Sequence, residues 1–209
     1  MLTPQEVSTH AFSKAVMGGY NMAMVDEFLD ELTDDYTALY KENAALKAKI
    51  AAIPDDWYYF NSAGIGDMMR FYKGFYPNFS TERYEKLREV FELDEKRPIR
   101  RFSKGMQKQA AFWLALSAMP DYLILDEPVD GLDPIVRHKL RRYLMDDVAD
   151  REMTVLVSSH NAKEMEDICN YIGILAKGKM VFEGDLLELL PTSLEELFIE
   201  KLGGEPREQ

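Results

Sequence analysis

Apolar residues recur at alternating intervals of four and three between residues 25 and 50. The positions in register are Val25, Leu29, Leu32, Tyr36, Leu39, Asn43, Leu46 and Ile50. A heptad pattern of this length predicts a left-handed coiled coil. If Leu29 and Tyr36 occupy a positions, Asn43 and Ile50 do as well, and the polar Asn43 favours a parallel dimer in register. The alternative is an ordinary amphipathic helix packed on the rest of the chain.

A short helix is predicted before this segment. Thr3 is a suitable N-cap, Pro4 suits the first helical position, and Glu6 completes a capping box three residues after Thr3. Gly18 and Gly19 then predict a turn, because glycine adopts positive φ readily.

Beyond residue 50 the pattern changes to short apolar runs that alternate with amphipathic segments. Strands are predicted at 122–125, 154–158, 171–175 and 180–182, the last two as a hairpin. Helices are predicted at 65–75, 81–91, 108–119, 135–148, 162–168 and 193–202. This alternation predicts an α/β fold with a mainly parallel sheet and a helical subdomain. The apolar run at 122–125 is typical of a buried parallel strand.

Composition narrows the class of protein. Hydrophobic residues make up 46% of the 209 residues, which suits a globular protein with a core. The net charge of −12 argues against a nucleic-acid partner, since polyanions repel such a chain. The lone Cys169 fits a reducing compartment, and the sequence shows neither a membrane-spanning run nor a signal-peptide pattern. We therefore expect a cytoplasmic protein that reaches a membrane only through partners.

Two acids follow the strand at 122–125. They are Asp126 and Glu127. In a P-loop NTPase, the first acid of such a pair binds Mg²⁺, usually through water, and the second can orient or polarise the attacking water. Taken alone this pair is weak evidence, because acids also cap strand-to-loop turns. Ser103 and Gly105 open a helix upstream, where free N–H groups and the helix dipole attract anions.

These elements, in this order, resemble the ATP-binding-cassette (ABC) ATPases, and the resemblance covers residues 51–205. The resemblance implies a signature motif at 102–106, a Walker B strand at 123–126, a D-loop at 131–133 and a hairpin at 177–184. It implies catalytic roles for Glu127 and His160 and metal binding by Asp126. It further implies a nucleotide-binding set made up of Asp55, Ser103, Lys104, Gly105, Met106 and Asp133. Asp55 stands where the family has the Q-loop glutamine.

The sequence contains no Gly-x-x-x-x-Gly-Lys-Ser/Thr phosphate-binding loop. Without its backbone cradle and lysine, the β- and γ-phosphates have no primary site in this chain. Because the family's active site is shared across a dimer, the resemblance implies ATP and Mg²⁺ as cofactors only if a partner supplies that loop. We expect no hydrolysis by the chain alone.

The first fifty residues resemble the N-terminal domain of the DivIVA/GpsB family of bacterial cell-division and polar-growth scaffolds. The matching segments are 2–4, 12–14, 19–21, 25–30, 35–36 and 41–43. The resemblance implies a parallel dimer and a groove for arginine-bearing partner tails formed by Tyr20, Asp26 and Asp30. These carboxylates are alternatively solvated surface acids. Met17 and Gly18 occupy the turn where the family carries an aromatic residue and an arginine for membrane binding.

Together these patterns predict a DivIVA-like coiled-coil arm at 1–50, an ABC ATPase part lacking its phosphate loop at 51–205, and a tail at 206–209. No Gly/Ser-rich linker joins the first two parts, and the character of the chain changes abruptly near Ile53 and Pro54. Three functions remain open: an ABC-type ATP-binding subunit, a cell-division scaffold that dimerises and binds partners, and a chimera without joint function.

Overall fold

A computed structural model describes residues 1–13, 22–186 and 193–202. In chain order the helices are α1 (Pro4–Thr9), α2 (Met22–Lys47), α3 (Ile65–Phe75), α4 (Thr81–Phe91), α5 (Lys104–Ser117), α6 (Pro134–Arg151), α7 (Ala162–Ile168) and α8 (Leu194–Leu202). The strands are β1 (Ile50–Ile53), β2 (Tyr122–Asp126), β3 (Thr154–Ser158), β4 (Tyr171–Ala176) and β5 (Lys179–Asp185). The chain divides into two compact units, Met1–Ile50 and Ala51–Gln209.

The capping box predicted for the first unit is present. The Thr3 hydroxyl accepts a hydrogen bond from the Glu6 N–H at 3.2 Å, and the Glu6 carboxylate accepts one from the Thr3 N–H at 2.7 Å. Pro4 occupies the first turn of α1. Two otherwise unpaired backbone donors are thereby satisfied, which fixes where the helix begins.

Helix α2 leaves most of its heptad positions in solvent. Phe28 is its buried residue and stacks on His10, with ring centroids 4.0 Å apart. Leu29, Tyr36 and Leu39 are 49%, 69% and 52% exposed. The prediction that the helical seam reaches Ile50 is wrong: α2 ends at Lys47, and Ile50 begins β1. The alternating burial of residues 50–53 shows that the period has changed from 3.6 to 2 by this point.

The second unit contains a three-stranded sheet in the order β1-β2-β3. Strands β2 and β3 are parallel, and Asp126 lies opposite Ser158 at their carboxyl ends. We expected 122–125 to be fully buried, and this is wrong. Leu123 and Leu125 are buried, whereas Tyr122 and Ile124 on the other face are 51% and 41% exposed. The strand therefore shows the alternation of a half-covered sheet.

Helix α5 forms the centre of the core. Its residues from 108 to 117 are all buried, including the fully enclosed Trp113. The Trp113 indole N–H donates to the main-chain oxygen of Tyr84 at 2.8 Å, and the two rings stack with centroids 4.8 Å apart. The helix begins at Lys104, earlier than the predicted residue 108, because the Ser103 hydroxyl caps it by accepting from the Met106 N–H.

A buried acid joins α4 to α6. The Asp147 carboxylate is 2.6 Å from Nη2 of Arg83 and 3.5 Å from Nε of Arg151. Burial raises the pKa of Asp147, and the two arginines oppose that rise. The pairing links α4 to α6, and removal of either arginine would leave the buried carboxylate less well compensated.

The predicted hairpin and the terminal helix are also present. Strands β4 and β5 are antiparallel, and their turn places Lys177 and Gly178 at positive φ, as tight hairpin turns require. Helices α7 and α8 pack with β4 in a second small core. Across the described ranges, we find no helix with the length and apolar character needed to cross a bilayer.

Candidate functional site

The carboxyl ends of β2 and β3 bring three polar groups together. The Ser158 hydroxyl donates to Asp126 Oδ1 at 2.6 Å. Glu127 Oε1 accepts from the His160 main-chain N–H at 3.0 Å and lies 2.7 Å from His160 Nδ1. The Ser159 hydroxyl donates to the other Glu127 oxygen at 3.0 Å. Parallel pairing explains this convergence, because neighbouring parallel strands end at one edge of the sheet.

The Glu127 carboxylate is fixed by both of its oxygens. Four hydrogen-bond donors from strand β3 and its following turn therefore face two adjacent acids, Asp126 and Glu127. The hydrogen bond to Glu127 is the main cause that raises the pKa of His160, and the negative charge of Glu127 is the second. His160 is otherwise exposed, so its imidazole is free to turn one nitrogen toward a ligand.

Glu127 has an unusual backbone conformation. Its φ is 45°, in the left-handed region that non-glycine residues rarely occupy. The Glu127 N–H donates to the Ser158 oxygen at 3.0 Å, and its carbonyl accepts from the ammonium of Lys108 at 2.6 Å. A strained backbone beneath a converging carboxylate is a common property of functional sites.

Carboxylates that could bind Mg²⁺, together with one histidine, lie at the same edge. The ligand atoms of Glu127, Asp130 and His160 lie within 4.8 Å of one another, and the Asp126 carboxylate is exposed beside Ser158. Mg²⁺ prefers carboxylate and hydroxyl oxygens and keeps several waters, so Asp126 and its neighbours have the right donor chemistry.

The turn at 102–106 forms the N-terminal end of α5. Ser103 and Lys104 are exposed, while Gly105 and Met106 are partly buried. Gly105 packs against the turn after β2: a Cβ added at Gly105 would lie 2.3 Å from the Gly131 carbonyl oxygen. Only glycine permits this approach, so the signature-like turn and the D-loop-like turn are in direct backbone contact.

Two further predicted residues have clear structural partners. Asp133 is the N-cap of α6, and its Oδ1 accepts from the N–H groups of Ile135 and Val136, each at 3.0 Å. Asp55 lines a cleft of about 310 Å³ together with Lys104, Lys108 and Gly131. Its carboxylate is 3.3 Å from the Lys108 ammonium. The cleft connects the Asp55 segment with the start of α5.

On the first unit, Asp26 and Asp30 are both exposed and lie one turn apart on α2. Tyr20, Met17 and Gly18 lie outside the described residues.

In the second unit, the structure brings together Asp126, Glu127 and His160, and it places Gly105 beside Gly131. The sequence interpretation missed Lys108, although a lysine within an otherwise apolar helical stretch was a visible signal.

Comparisons with known proteins find relatives of two kinds. The family model described as DivIVA protein matches residues 2–63. The ABC transporter ATP-binding protein YtrB of Bacillus subtilis (strain 168) is 30% identical over 149 residues, which are 71% of this chain and 51% of the relative. The lantibiotic transport ATP-binding protein SrtF of Streptococcus pyogenes is 38% identical over 104 residues, covering 50% of this chain and 44% of the relative.

Solved structures give the same result for the fold. The ATP-binding subunit of an ABC transporter superposes with a TM-score of 0.69 at 26% identity, covering 78% of this chain and 72% of the other. The ATP-binding cassette MJ0796, solved as a dimer in a post-hydrolysis state bound to ADP and Pi, gives 0.60 at 20% identity, covering 69% and 66%. At 20% identity, the match to MJ0796 is evidence for the fold alone.

Both resemblances predicted from the sequence are confirmed. A DivIVA-like segment precedes a segment that resembles ABC transporter ATP-binding proteins, and the latter has their α/β fold. The chain spans about half the length of the curated relatives that it matches.

Proposed function

We propose that the chain is a partial ABC-type ATP-binding subunit that works in a dimer. It supplies the signature-like turn with Ser103 and Gly105, the acids Asp126 and Glu127, and His160. A partner supplies the phosphate-binding loop. The observation that carries the proposal is the contact of Glu127 with His160 at the end of two parallel strands, next to Asp126.

The roles follow from the positions of the side chains. Asp126, with Ser158 beside it, is the residue that would hold Mg²⁺, which neutralises charge on the phosphates when bound. The Glu127 carboxylate accepts a proton from, or orients, the attacking water. His160 donates a hydrogen bond toward the terminal phosphate from its free ring nitrogen while Glu127 holds the other.

The start of α5 supplies the anion-binding part. The Met106 N–H holds the Ser103 hydroxyl, which donates its own proton toward a phosphate, and Lys104 and the Gly105 N–H face the same phosphates with the positive end of the helix dipole behind them. Asp133 positions α6 and the D-loop-like turn, and Asp55 lines the cleft beside the same helix start.

Hydrolysis assays test the proposal. The chain alone, a phosphate-loop-bearing ABC subunit whose own signature serine and catalytic glutamate have both been replaced, and the mixture of the two are compared for release of phosphate from MgATP. We expect activity in the mixture only. Glu127→Gln lowers it by about 10² to 10⁴, the usual contribution of a general base. Lys86→Met, an exposed change on α4, leaves it unchanged.

Two results would contradict the proposal. Strong hydrolysis by the chain alone would mean that it needs no phosphate loop from a partner. A mixture no more active than the sum of its components would mean that this chain does not complete the partner's site.

A second candidate function rests on α2. The exposed apolar stripe that includes Leu29, Tyr36 and Leu39, together with the DivIVA match, favours a scaffold that forms a parallel homodimer and recruits partners. We propose that residues 1–50 are the dimerisation arm, 51–205 the ATPase-like part and 206–209 a tail. The helical portion of the dimer contact ends with α2 at Lys47.

Sedimentation of the full chain tests the dimer. Leu39→Glu places a charge in the seam, and we expect it to convert the dimer to monomer at about 10 µM, because like charges would face each other there. Lys41→Glu, an exposed change on the outer face of α2, serves as the control. A monomeric wild-type chain at the same concentration removes the scaffold proposal.

The partner groove has its own test. We propose that Asp26 and Asp30, with Tyr20, bind arginine-bearing protein tails through charge-assisted hydrogen bonds. Replacement of both aspartates by asparagine should abolish binding of an arginine-rich peptide measured by fluorescence anisotropy. Unchanged affinity would identify them as solvated surface acids. We place the protein in the cytoplasm, associated with a membrane only through a transporter subunit.

A further inference from the structure

Lys108 lies in the middle of α5 and is only 8% exposed. Lysine is rarely buried unless its ammonium is paired. The residues that follow it on the helix pack into the apolar core, so this position would accept an apolar side chain as far as packing is concerned. A buried ammonium there needs a specific reason.

The ammonium has two partners. Nζ lies 2.6 Å from the main-chain oxygen of Glu127 and 3.3 Å from Oδ1 of Asp55. Asp55 is about half exposed, so solvent weakens its share of the pairing. The bond to the Glu127 carbonyl is shorter and better shielded, and it is the stronger of the two.

The Glu127 carbonyl belongs to the strained peptide of the site. A non-glycine residue at a φ of 45° persists only when its surroundings hold it there. The Glu127 N–H donates to the Ser158 oxygen, and the Glu127 carbonyl accepts from Lys108 at 2.6 Å and, in a longer bond of 3.4 Å, from the Asp130 N–H. Loss of the Lys108 bond would leave the carbonyl with the longer Asp130 bond alone, and the left-handed conformation that places the carboxylate beside His160 would lose its main support.

We propose that Lys108 is a positioning residue: its buried ammonium locks the Glu127 backbone in the left-handed conformation that brings the carboxylate to His160, and Asp55 anchors that ammonium from the cleft. The assignment deepens the proposed function, on which its catalytic meaning rests. Lys108 touches no reacting atom and acts through Glu127. The segment that carries Asp55 and the turn that carries Glu127 are thereby coupled through a single side chain.

The His160 tautomer reports this geometry without nucleotide or partner. Glu127 Oε1 lies 2.7 Å from Nδ1, so the neutral ring carries its proton on Nδ1 in the wild-type chain. Long-range ¹H–¹⁵N spectra of the full chain at about pH 9, well above the ordinary histidine pKa of about 6.5, distinguish the two tautomers. His160→Gln assigns the signal among the three histidines.

Two variants remove the bond from the Lys108 ammonium to the Glu127 carbonyl. Lys108→Met keeps an unbranched side chain, one bond shorter than lysine, and loses the donor, whereas Lys108→Gln is equally short but keeps a neutral polar group. We expect both to shift His160 from mainly Nδ1–H to mainly Nε2–H, with faster exchange of the His160 amide proton. Lys108→Arg, which restores a cationic donor, should recover most of the Nδ1–H form.

Lys139→Met is the matched control, since Lys139 also donates to a main-chain oxygen, that of Val90, at 3.4 Å. It should leave the His160 spectrum unchanged. A folded Lys108→Met or Lys108→Gln protein with a wild-type tautomer overturns the proposal. So does the failure of both to give a cooperative thermal transition, because Lys108 would then serve the fold as a whole. The His160 spectrum needs neither nucleotide nor partner, so the absence of ATP hydrolysis in the mixture would not change it. The two proposals can therefore fail independently.

Discussion

Gly105→Ala is the substitution that most directly tests the contact between the two turns of the site. The new Cβ would lie 2.3 Å from the Gly131 carbonyl oxygen. Carbon and oxygen in ordinary contact are more than 3 Å apart, so the overlap is close to 1 Å. The opposing atom belongs to the backbone, and Gly131 is itself held at a φ of 75°, so neither side yields easily.

The magnitude follows from two opposing effects. Overpacking a well-packed position costs about 1–3 kcal/mol, and a backbone overlap of this size belongs at the upper end. Alanine recovers up to about 1 kcal/mol over glycine within a helix. The net loss is about 2 kcal/mol, which for a chain of this length lowers the melting temperature by roughly 4–8 °C.

Thermal unfolding followed by circular dichroism measures this loss, with Gly74→Ala as the matched control. Gly74 is also helical, and a Cβ there meets no atom within 4 Å. The control should equal or exceed the wild-type stability by up to about 1 kcal/mol. The difference between the two variants isolates the collision. If the Gly105→Ala protein has the same melting temperature as the Gly74→Ala control, the contact between these turns is refuted.

Three further outcomes are expected. Trp113→Phe removes the indole donor to the Tyr84 carbonyl, which keeps its bond within α4, and should cost about 0.5–1.5 kcal/mol in urea unfolding, plus the loss of ring contact. Ser103→Ala removes the cap of α5 and should cost about 1 kcal/mol in the same assay. Glu127→Gln should lower the pKa of His160 measured by NMR. Because the folded pKa of His160 is raised, its contribution to stability is complete below about pH 6.5 and disappears as pH rises through the folded pKa. The stability difference between Glu127→Gln and wild type should therefore be greater at about pH 6, where the imidazole is charged and a carboxylate is still ionised, than at about pH 9; a constant difference would contradict the pairing.

Much of the fold followed from local pattern. The bounds of α3, α4, β3 and α7 agree with the prediction because each has a clear period and a capping residue or strand end. Ser80 and Asn161, for example, accept N–H bonds at the starts of α4 and α7. Parallel pairing then brings Asp126 opposite Ser158 without further information. Local chemistry and topology agree in these places, which is why the sequence was sufficient.

The features that the sequence did not predict have a common physical cause, since each depends on atoms that lie far away along the chain. Whether Lys108 is buried depends on the Glu127 carbonyl, nineteen residues away. The left-handed backbone of Glu127 is imposed by its neighbours and has no propensity signal. Ile50 continues the heptad by spacing but takes part in a sheet, because strand pairing overrides a short periodic run.

The half-covered sheet sets a practical limit on how concentrated this chain can be. Tyr122, Ile124 and Leu156 point away from the core, and molecules that collide there gain about 25 cal/mol for each Å² they remove from water. Solubility should consequently fall with crowding and with added sulfate, which strengthens apolar association. Polar replacements at these three positions should raise the usable concentration in storage, because the side chains that fill the interior come from the opposite face of the same strands.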